Sequence, residues 1–288
     1  MKKTANPFAA VRVPAVAGQF YPRDASELRG RVEDLLRQVK PCAERAPKAI
    51  IVPHAGYQYS GPIAASAYAR LIPDRAVIRR VVLLGPSHHL PFFGLATTSF
   101  RAFETPLGLV PVDAEMVRWA CALPEVSLLN EAHAHEHSLE VQLPFLQVVL
   151  DDFQIVPLVA GYTTDQEVAE VMVALWGGAE TRFVISSDLS HYLEYAKARE
   201  LDAATSRSIE ALRAEDISET QACGMIPVRG LLRAARQQGL RARTIDLRNS
   251  GDTGGPRTEV VGYGAFVFQE TPAAVDTPES LTVAYSVQ

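Results

Sequence analysis

The sequence is poor in cysteine, and its few cysteines lie far apart. Cys42, Cys121 and Cys223 are the only three in 288 residues. No two of them form a CxxC pair, so a disulfide framework and a cysteine-rich zinc module are both excluded. We therefore expect a reducing, cytoplasmic compartment.

Long runs of a single residue class are also missing. No apolar stretch approaches the roughly 20 residues of a membrane span, and the N-terminal segment lacks the continuous apolar core of a signal peptide. The formal net charge is -5, without the Lys/Arg clusters typical of nucleic-acid binders. A soluble, unprocessed protein is expected, with no membrane and no nucleic acid among its partners.

Apolar residues, in contrast, are abundant and are grouped in short runs. The composition is 48% hydrophobic and 21% charged, which is enough for a globular core. Buried strands are predicted at 49–52, 81–84, 153–161, 258–270 and within "TRFVISSDLSHY" (181–192), and helices at 24–39, 62–72, 165–178, 194–214 and 219–237. This alternation predicts a single α/β domain with a largely parallel central sheet flanked by helices, over residues 1–270. The tail, residues 271–288, is expected to be loosely ordered.

Histidines follow three of the predicted strands. His54 comes after the first strand, His88 and His89 after the second, and His191 after "TRFVISSDLS", with Asp188 three residues before it. Ligand sites in open α/β sheets form at the carboxyl ends of strands, so a shared site is predicted there. The alternative is that each imidazole is solvated or bonded to nearby backbone.

The remaining histidines lie in "NEAHAHEHSLEVQLPFL". We expect His133 and His135 to lie in a solvated loop, and Glu136 and His137 to point into the pocket. Ser138 is predicted to cap a helix that Pro144, further along the segment, kinks or restarts.

The residue types in these motifs favour a metal site. Neutral imidazoles bind Zn, Fe, Cu and Ni, and two histidines with one carboxylate are typical of non-haem Fe(II) oxygenases. The H-E-x-x-H pattern of zinc proteases is absent. The string "GDTGGP" is similar to the nucleophile motif of trypsin-like proteases with Thr253 at the serine position, but a Gly-rich turn fits an α/β chain better. Asp252 in that turn is a possible carboxylate ligand.

Five motifs resemble those of the Memo family in the same order. They are "RVPAVAGQFYP" (12–22), "VPHAGYQYSG" (52–61), "LLGPSHHLP" (83–91), "EHSLEVQLPFL" (136–146) and "SSDLSHY" (186–192). The resemblance implies a fold similar to the class III extradiol dioxygenases, specifically their catalytic B subunit, and pocket histidines at His54, His88 and His191. It also implies a functional link, named the AmmeMemoRadiSam system, to an AMMECR1-like protein and a radical SAM protein.

One departure from this family affects the expected metal. Animal members place a cysteine in the pocket shortly before the last strand, whereas "NSGDTGGPRTEVVGYG" contains none. Asp252 or Ser250 lies near the equivalent position, and an oxygen ligand there would favour iron over copper. Fe(II) is therefore the expected cofactor, with Cu or Zn as alternatives.

These observations define a set of site residues and three functional hypotheses. The predicted metal ligands are His54, His88, His191 and Asp252; the predicted catalytic residues are His191 and Asp188; the further pocket residues are His89, Glu136, His137 and Tyr57. Asp188 is expected to orient His191 through a ring N–H or, alternatively, to cap a helix beginning near His191.

The first functional hypothesis is a metal-dependent, dioxygenase-like oxidoreductase that acts on a small molecule. The second is a non-enzymatic module that binds a peptide or partner segment in the same pocket. The third is a hydrolase that uses Thr253.

Overall fold

The apolar runs form the strands of two sheets. The computed structural model describes residues 10–270, and the predicted loose tail at 271–288 lies outside them. The strands in the described range are β1 (Val11–Arg12), β2 (Ala49–Val52), β3 (Arg80–Pro86), β4 (Leu95–Thr97), β5 (Ala102–Thr105), β6 (Gly108–Pro111), β7 (Val126–Leu128), β8 (Gln154–Ala160), β9 (Thr181–Ser186), β10 (Leu240–Asn249) and β11 (Gly262–Glu270).

The centre of the larger sheet is parallel, as predicted. Its eight strands run in the order β10-β11-β2-β9-β3-β8-β4-β7, and β2, β9, β3 and β8 are mutually parallel. Antiparallel pairing occurs where β11 joins β2 and β10, and where β4 joins β8. A separate small sheet has the order β1-β5-β6.

Helices pack against this sheet, which confirms the α/β fold class. They are α1 (Ala25–Arg37), α2 (Tyr57–Tyr68), α3 (Ala114–Ala120), α4 (Glu131–Ala134), α5 (His137–Glu140), α6 (Leu143–Val149), α7 (Asp165–Ala174), α8 (Tyr195–Glu210), α9 (Met225–Gln237) and α10 (Ser250–Thr253). Helix α2 contacts β2, β10 and β11, and α9 contacts β3 and β9. Throughout residues 10–270, every helix is too short or too polar to cross a bilayer.

Glycine allows the segment that carries α5 to approach the end of β3. A Cβ atom added to Gly85 would lie 2.7 Å from Ser138 Oγ and 3.0 Å from Leu139 Cδ2. The Ser138 hydroxyl instead donates to the Pro86 carbonyl at 3.0 Å. Residues 136–138 are thereby held beside the loop that follows β3.

Several features of the fold differ from the prediction, including the small sheet and strands β4 and β7, which were not expected. Strand β10 was not expected, because it pairs only with β11 at the sheet edge and is buried only at its ends, so it lacks a continuous apolar run. The cap of α5 is Glu136, which accepts the Ser138 N–H, rather than Ser138 itself. Pro144, in contrast, restarts the helix as expected: it lies in the first turn of α6, where its missing N–H costs no helical hydrogen bond.

Candidate metal centre

Three imidazoles converge at the carboxyl edge of the parallel strands. The ring centroids of His54 and His88 lie 5.1 Å apart, and that of His137 lies 5.4 Å from His54 and 4.6 Å from His88. His54 follows β2 and His88 follows β3, two strands separated in the sheet only by β9. The topology therefore brings these side chains together, since parallel strands end at the same edge.

A cysteine completes this cluster. Cys223 Sγ lies 3.3 Å from His54 Nε2, in the loop before α9. Gly224 allows this approach, because a Cβ there would lie 2.8 Å from the Ser186 carbonyl at the end of β9. The ligand atoms of His54, His88 and Cys223 all lie within 4.8 Å of one another, so this group could hold a metal ion.

His54 is buried and held at two points. Its backbone N–H donates to Asp188 Oδ1 at 2.8 Å, and its Nδ1 lies 2.8 Å from Ser186 Oγ. Burial, together with the neighbouring His88 and His137, holds the pKa of His54 well below its usual value. The ring is neutral at physiological pH, as a ligand imidazole must be.

His88 is held by a carboxylate. Glu136 accepts the His88 backbone N–H at 2.6 Å, and its second oxygen lies 2.9 Å from His88 Nδ1. Burial alone would raise the pKa of Glu136, but its hydrogen bonds with His88 and Ser138 hold that pKa far below the usual range. An ionised carboxylate only accepts, so Nδ1 carries the ring proton and Nε2 is free in the neutral ring.

A second group, His88, Glu136 and His137, also has the spacing to hold a metal ion. Its carboxylate, however, already accepts N–H bonds from His88 and Ser138. Glu136 therefore suits the orientation of His88 better than direct ligation. His137 is a neutral imidazole beside the group, because burial and His88 lower its pKa to about 4.

The predicted contact between Asp188 and His191 is not what the structure shows. His191 Nδ1 lies 2.8 Å from the Leu189 carbonyl, whereas the Asp188 carboxylate accepts from the backbone of His54. Asp188 does not cap a helix either, since α8 begins at Tyr195. Burial raises the pKa of Asp188 to about 6. Both His191 and Asp188 line the cavity above the cluster.

Asp252 lies outside both metal-capable groups. Its Oδ1 accepts from the Tyr195 hydroxyl at 2.6 Å, and its Oδ2 accepts from the Asn249 backbone N–H at 3.1 Å. Asn249 and Asp252 form the capping box of α10, so the expected oxygen ligand is committed to a helix start. The hydroxyl of the neighbouring Thr253 donates to Ser250, in its own turn, rather than to an imidazole.

The remaining predicted residues occupy different positions. His89 is exposed at the rim, with its ring 6.0 Å from that of His137. Tyr57 is buried, and its hydroxyl donates to the Val141 carbonyl at 2.6 Å, so it anchors α2 below the site. His135 is exposed, as expected, but the expectation for His133 was wrong: its Nε2 lies 3.0 Å from the Ala96 carbonyl in the core.

Two cavities meet at the cluster. The larger has a volume of about 1020 Å³ and contains all three members of the His54 group, with walls that include Phe20, Tyr59, Tyr192 and Tyr263. The smaller, of about 520 Å³, shares His88, Glu219 and Cys223 with it. The metal-capable group is therefore reached from two sides.

The site defines the class: an α/β protein whose imidazoles at the ends of parallel strands and a thiol from the loop before α9 form a metal-capable pocket at the strand edge. The chain belongs to the Memo-like protein family, whose model matches residues 12–267.

The relatives in this family match nearly end to end. A MEMO1 family protein of Aquifex aeolicus is 38% identical over 271 residues, covering 90% of this chain and 99% of the relative. One from Methanopyrus kandleri is 36% identical over 283 residues, with 90% and 99% covered.

A solved structure of an uncharacterised Escherichia coli K12 protein has the same fold. It superposes with a TM-score of 0.52 at 14% identity, covering 77% of this chain and 100% of that protein. At this identity the likeness concerns the fold alone.

Proposed function

We propose that this protein binds a redox-active transition metal at His54, His88 and Cys223 and uses it as a dioxygenase-like oxidoreductase on a small molecule. The observation that carries the proposal is the convergence of these three ligand atoms within 4.8 Å at the base of an aromatic-walled cavity. The geometry supports metal-dependent chemistry better than hydrolysis by Thr253.

The donor set fits a transition metal. Two imidazole nitrogens and a sulfur suit Fe, Cu and Zn. Three protein ligands beside a cavity leave open coordination positions, as catalytic sites do and closed structural sites do not. The expectation of iron rested on an oxygen ligand at Asp252. With a thiol in its place Fe and Cu are both candidates for the redox role, whereas Zn fits the donor set but has no redox chemistry.

The protonation state of the Cys223 thiol should depend on whether a metal ion is bound. Burial and the nearby Asp188 raise the pKa of Cys223 to about 12, so it keeps its proton in the metal-free protein. Coordination favours the thiolate. A bound iron or copper ion would supply one-electron chemistry at its open positions.

Two further imidazoles could move protons for a bound ligand. His137 stacks on His88 and is neutral, so it offers an unprotonated ring nitrogen next to the ligand set, although its pKa of about 4 makes it a weak base. His191 lines the same cavity, and its Nδ1 proton is donated to the Leu189 carbonyl, which leaves Nε2 as an acceptor. Imidazoles are suited to such transfers near neutral pH.

The cavity walls favour an uncharged or cationic organic ligand. Among the described residues that line either cavity there is no Lys or Arg, so a remote carboxylate or phosphate would have no cationic side chain to pair with. Aromatic rings provide apolar contact area. An aromatic small molecule matches these walls.

Metal binding by the purified, metal-free protein tests the proposal. Calorimetry with Fe(II) under anaerobic conditions, and with Zn(II), should show one strong site that His54→Ala and His88→Ala abolish. His89→Ala is the matched control and should bind normally, because His89 belongs to neither metal-capable group. A wild-type protein that binds none of these metals would sink the proposal.

A binding module for a peptide is the second candidate, favoured by exposed aromatic rings. Phe93 and Tyr162 are 85% and 67% exposed and their rings lie 5.8 Å apart, beside the smaller cavity that Tyr162 lines. Peptide binding that is unchanged in His54→Ala would support this alternative. The link to AMMECR1-like and radical SAM proteins, which the resemblance implies, stays a prediction.

A further inference from the structure

Both ring nitrogens of His54 have neighbours, and only one can face a metal ion. Nδ1 lies 2.8 Å from Ser186 Oγ, and Nε2 lies 3.3 Å from Cys223 Sγ. A neutral imidazole carries its proton on one nitrogen, and the hydrogen bonds around it determine which one.

The hydroxyl proton of Ser186 is already assigned. Ser186 Oγ lies 2.6 Å from the Ser138 carbonyl oxygen, and a carbonyl can only accept, so the hydroxyl donates there. Both residues are fully buried, so loss of this hydrogen bond would leave a buried polar group unsatisfied, which costs free energy.

A second hydrogen bond occupies one of the two lone pairs of the Ser186 hydroxyl oxygen. Gln142 Nε2 lies 2.9 Å from the Pro53 carbonyl and 2.8 Å from Ser186 Oγ. The Pro53 carbonyl fixes the orientation of the amide, and Gln142 Oε1 accepts from the Tyr68 hydroxyl at 2.8 Å. Gln142 therefore donates to Ser186.

One lone pair of Ser186 Oγ then remains, and it faces His54 Nδ1. Since Ser186 has no second proton to give, His54 must be the donor of this contact. The proton lies on Nδ1, and Nε2 presents its lone pair to the cavity beside Cys223.

We propose that Ser186 is the positioning residue for His54: its hydroxyl selects the ring tautomer that leaves Nε2 free for a metal ion. This inference rests on the proposed function in one respect only, namely that His54 Nε2 binds a metal ion. It assigns the two histidines different partners, because a carboxylate orients His88 and a neutral hydroxyl orients His54. Ser138 connects both, as its N–H donates to Glu136 and its carbonyl accepts from Ser186.

The tautomer can be measured without a metal. Long-range ¹H–¹⁵N spectra of the metal-free protein distinguish the two neutral forms, and His54→Ala identifies the signals of His54. We expect the form protonated at Nδ1 in the wild type and a loss of this preference in Ser186→Ala. Zinc affinity of Ser186→Ala should fall about tenfold or more. Ser186→Thr keeps a hydroxyl and should therefore retain both the Nδ1-protonated form and the zinc affinity of the wild type.

Ser60→Ala is the matched control. Ser60 is also buried and its hydroxyl donates to a carbonyl, that of Ala55, at 2.7 Å, but it does not touch an imidazole. It should lose comparable stability while keeping the tautomer and the zinc affinity of the wild type.

Several results would overturn the proposal. A wild-type His54 protonated at Nε2 contradicts it directly, even if Ser186→Ala does not fold. An Ser186→Ala protein with unchanged tautomer and unchanged zinc affinity also contradicts it. A wild type that binds neither zinc nor Fe(II) would refute the proposed function, while the spectra would still decide the role of Ser186.

Discussion

Glu136 holds His88 at its backbone and at its ring. One carboxylate oxygen accepts the His88 N–H at 2.6 Å, and the other lies 2.9 Å from Nδ1. The same side chain thus fixes where the residue lies and how its ring is turned. Carboxylates that bind the outer nitrogen of a histidine orient the ring and increase its basicity as a ligand.

Replacement of this carboxylate should weaken metal binding more than folding. In Glu136→Gln one acceptor oxygen becomes a donor and the charge is lost, so we expect zinc affinity to fall about 10- to 100-fold. Competition with a chromophoric chelator measures this. Glu131→Gln, at an exposed position in α4, should bind as the wild type does; equal affinity in both variants would show that Glu136 does not orient His88.

The strand-end histidines were predictable because the rule behind them is local. A continuous apolar run followed by Pro53-His54 or by "GPSHH" identifies a buried strand and its exit, and parallel strands place their exits on one edge. The parallel direction of these strands followed from the alternation of strands and helices. This much of the site required no knowledge of distant contacts.

Cys223 could not be found in this way. It is 169 positions from His54, and it follows no strand, so the strand-end rule that placed the histidines does not mark it as a pocket residue. Asp252 was favoured for its place before the last strand, but "NSGD" also contains the Asn249 and Asp252 of a capping box. A carboxylate that caps a helix is not available to bind a metal ion, and in the structure the Asp252 carboxylate caps α10.

The thiol makes a specific spectroscopic prediction. Cobalt(II) or copper(II) bound to the wild type should give a sulfur-to-metal charge-transfer band, and Cys223→Ser should lose that band together with about tenfold or more of the affinity. Cys121→Ser removes a cysteine that belongs to neither metal-capable group, so it should retain both. A band that survives in Cys223→Ser would exclude the sulfur as a ligand.

A buried ion pair fixes the N-terminal segment beside the site. Arg12 pairs with Glu140, donates to the Glu136 carbonyl at 2.7 Å, and is almost fully buried. Arg12→Met leaves the Glu140 charge without its partner, so we expect about 3–5 kcal/mol of lost stability in urea unfolding. Glu140→Gln added to Arg12→Met should recover part of it; if the double variant is as unstable as the sum of both single variants, the two groups do not act as a pair.

Asp202 should make stability depend on pH. It is buried, accepts the Ser190 N–H at 3.0 Å, and burial raises its pKa to about 6 from the ordinary 3.8. The folded state therefore binds more protons than the unfolded state between about pH 4 and 6, and this contribution to stability is lost as pH rises through that window.

Asp202→Asn isolates this effect, because an amide does not titrate. Relative to the variant, the wild type should lose up to roughly 3 kcal/mol of unfolding free energy between pH 4 and 7. For Asp152→Asn, at an exposed position, the unfolding free energy should change with pH in parallel with that of the wild type. Parallel curves for Asp202→Asn would mean that Asp202 titrates at its ordinary pKa.

Tyr192 combines backbone strain with exposure at the cavity. Its φ is 57°, its surface is 73% exposed, and it lines the larger cavity directly after His191. A non-glycine residue in this conformation costs about 1 kcal/mol or more, and an exposed ring recovers little of that free energy through burial.

Tyr192→Gly should therefore unfold at the same urea concentration as the wild type or a higher one, with unchanged zinc affinity. Leu212→Gly, at φ 54° but packed against the core, should be destabilised because it loses buried apolar surface. A Tyr192→Gly protein as destabilised as Leu212→Gly would show that the ring supports the fold rather than the cavity wall.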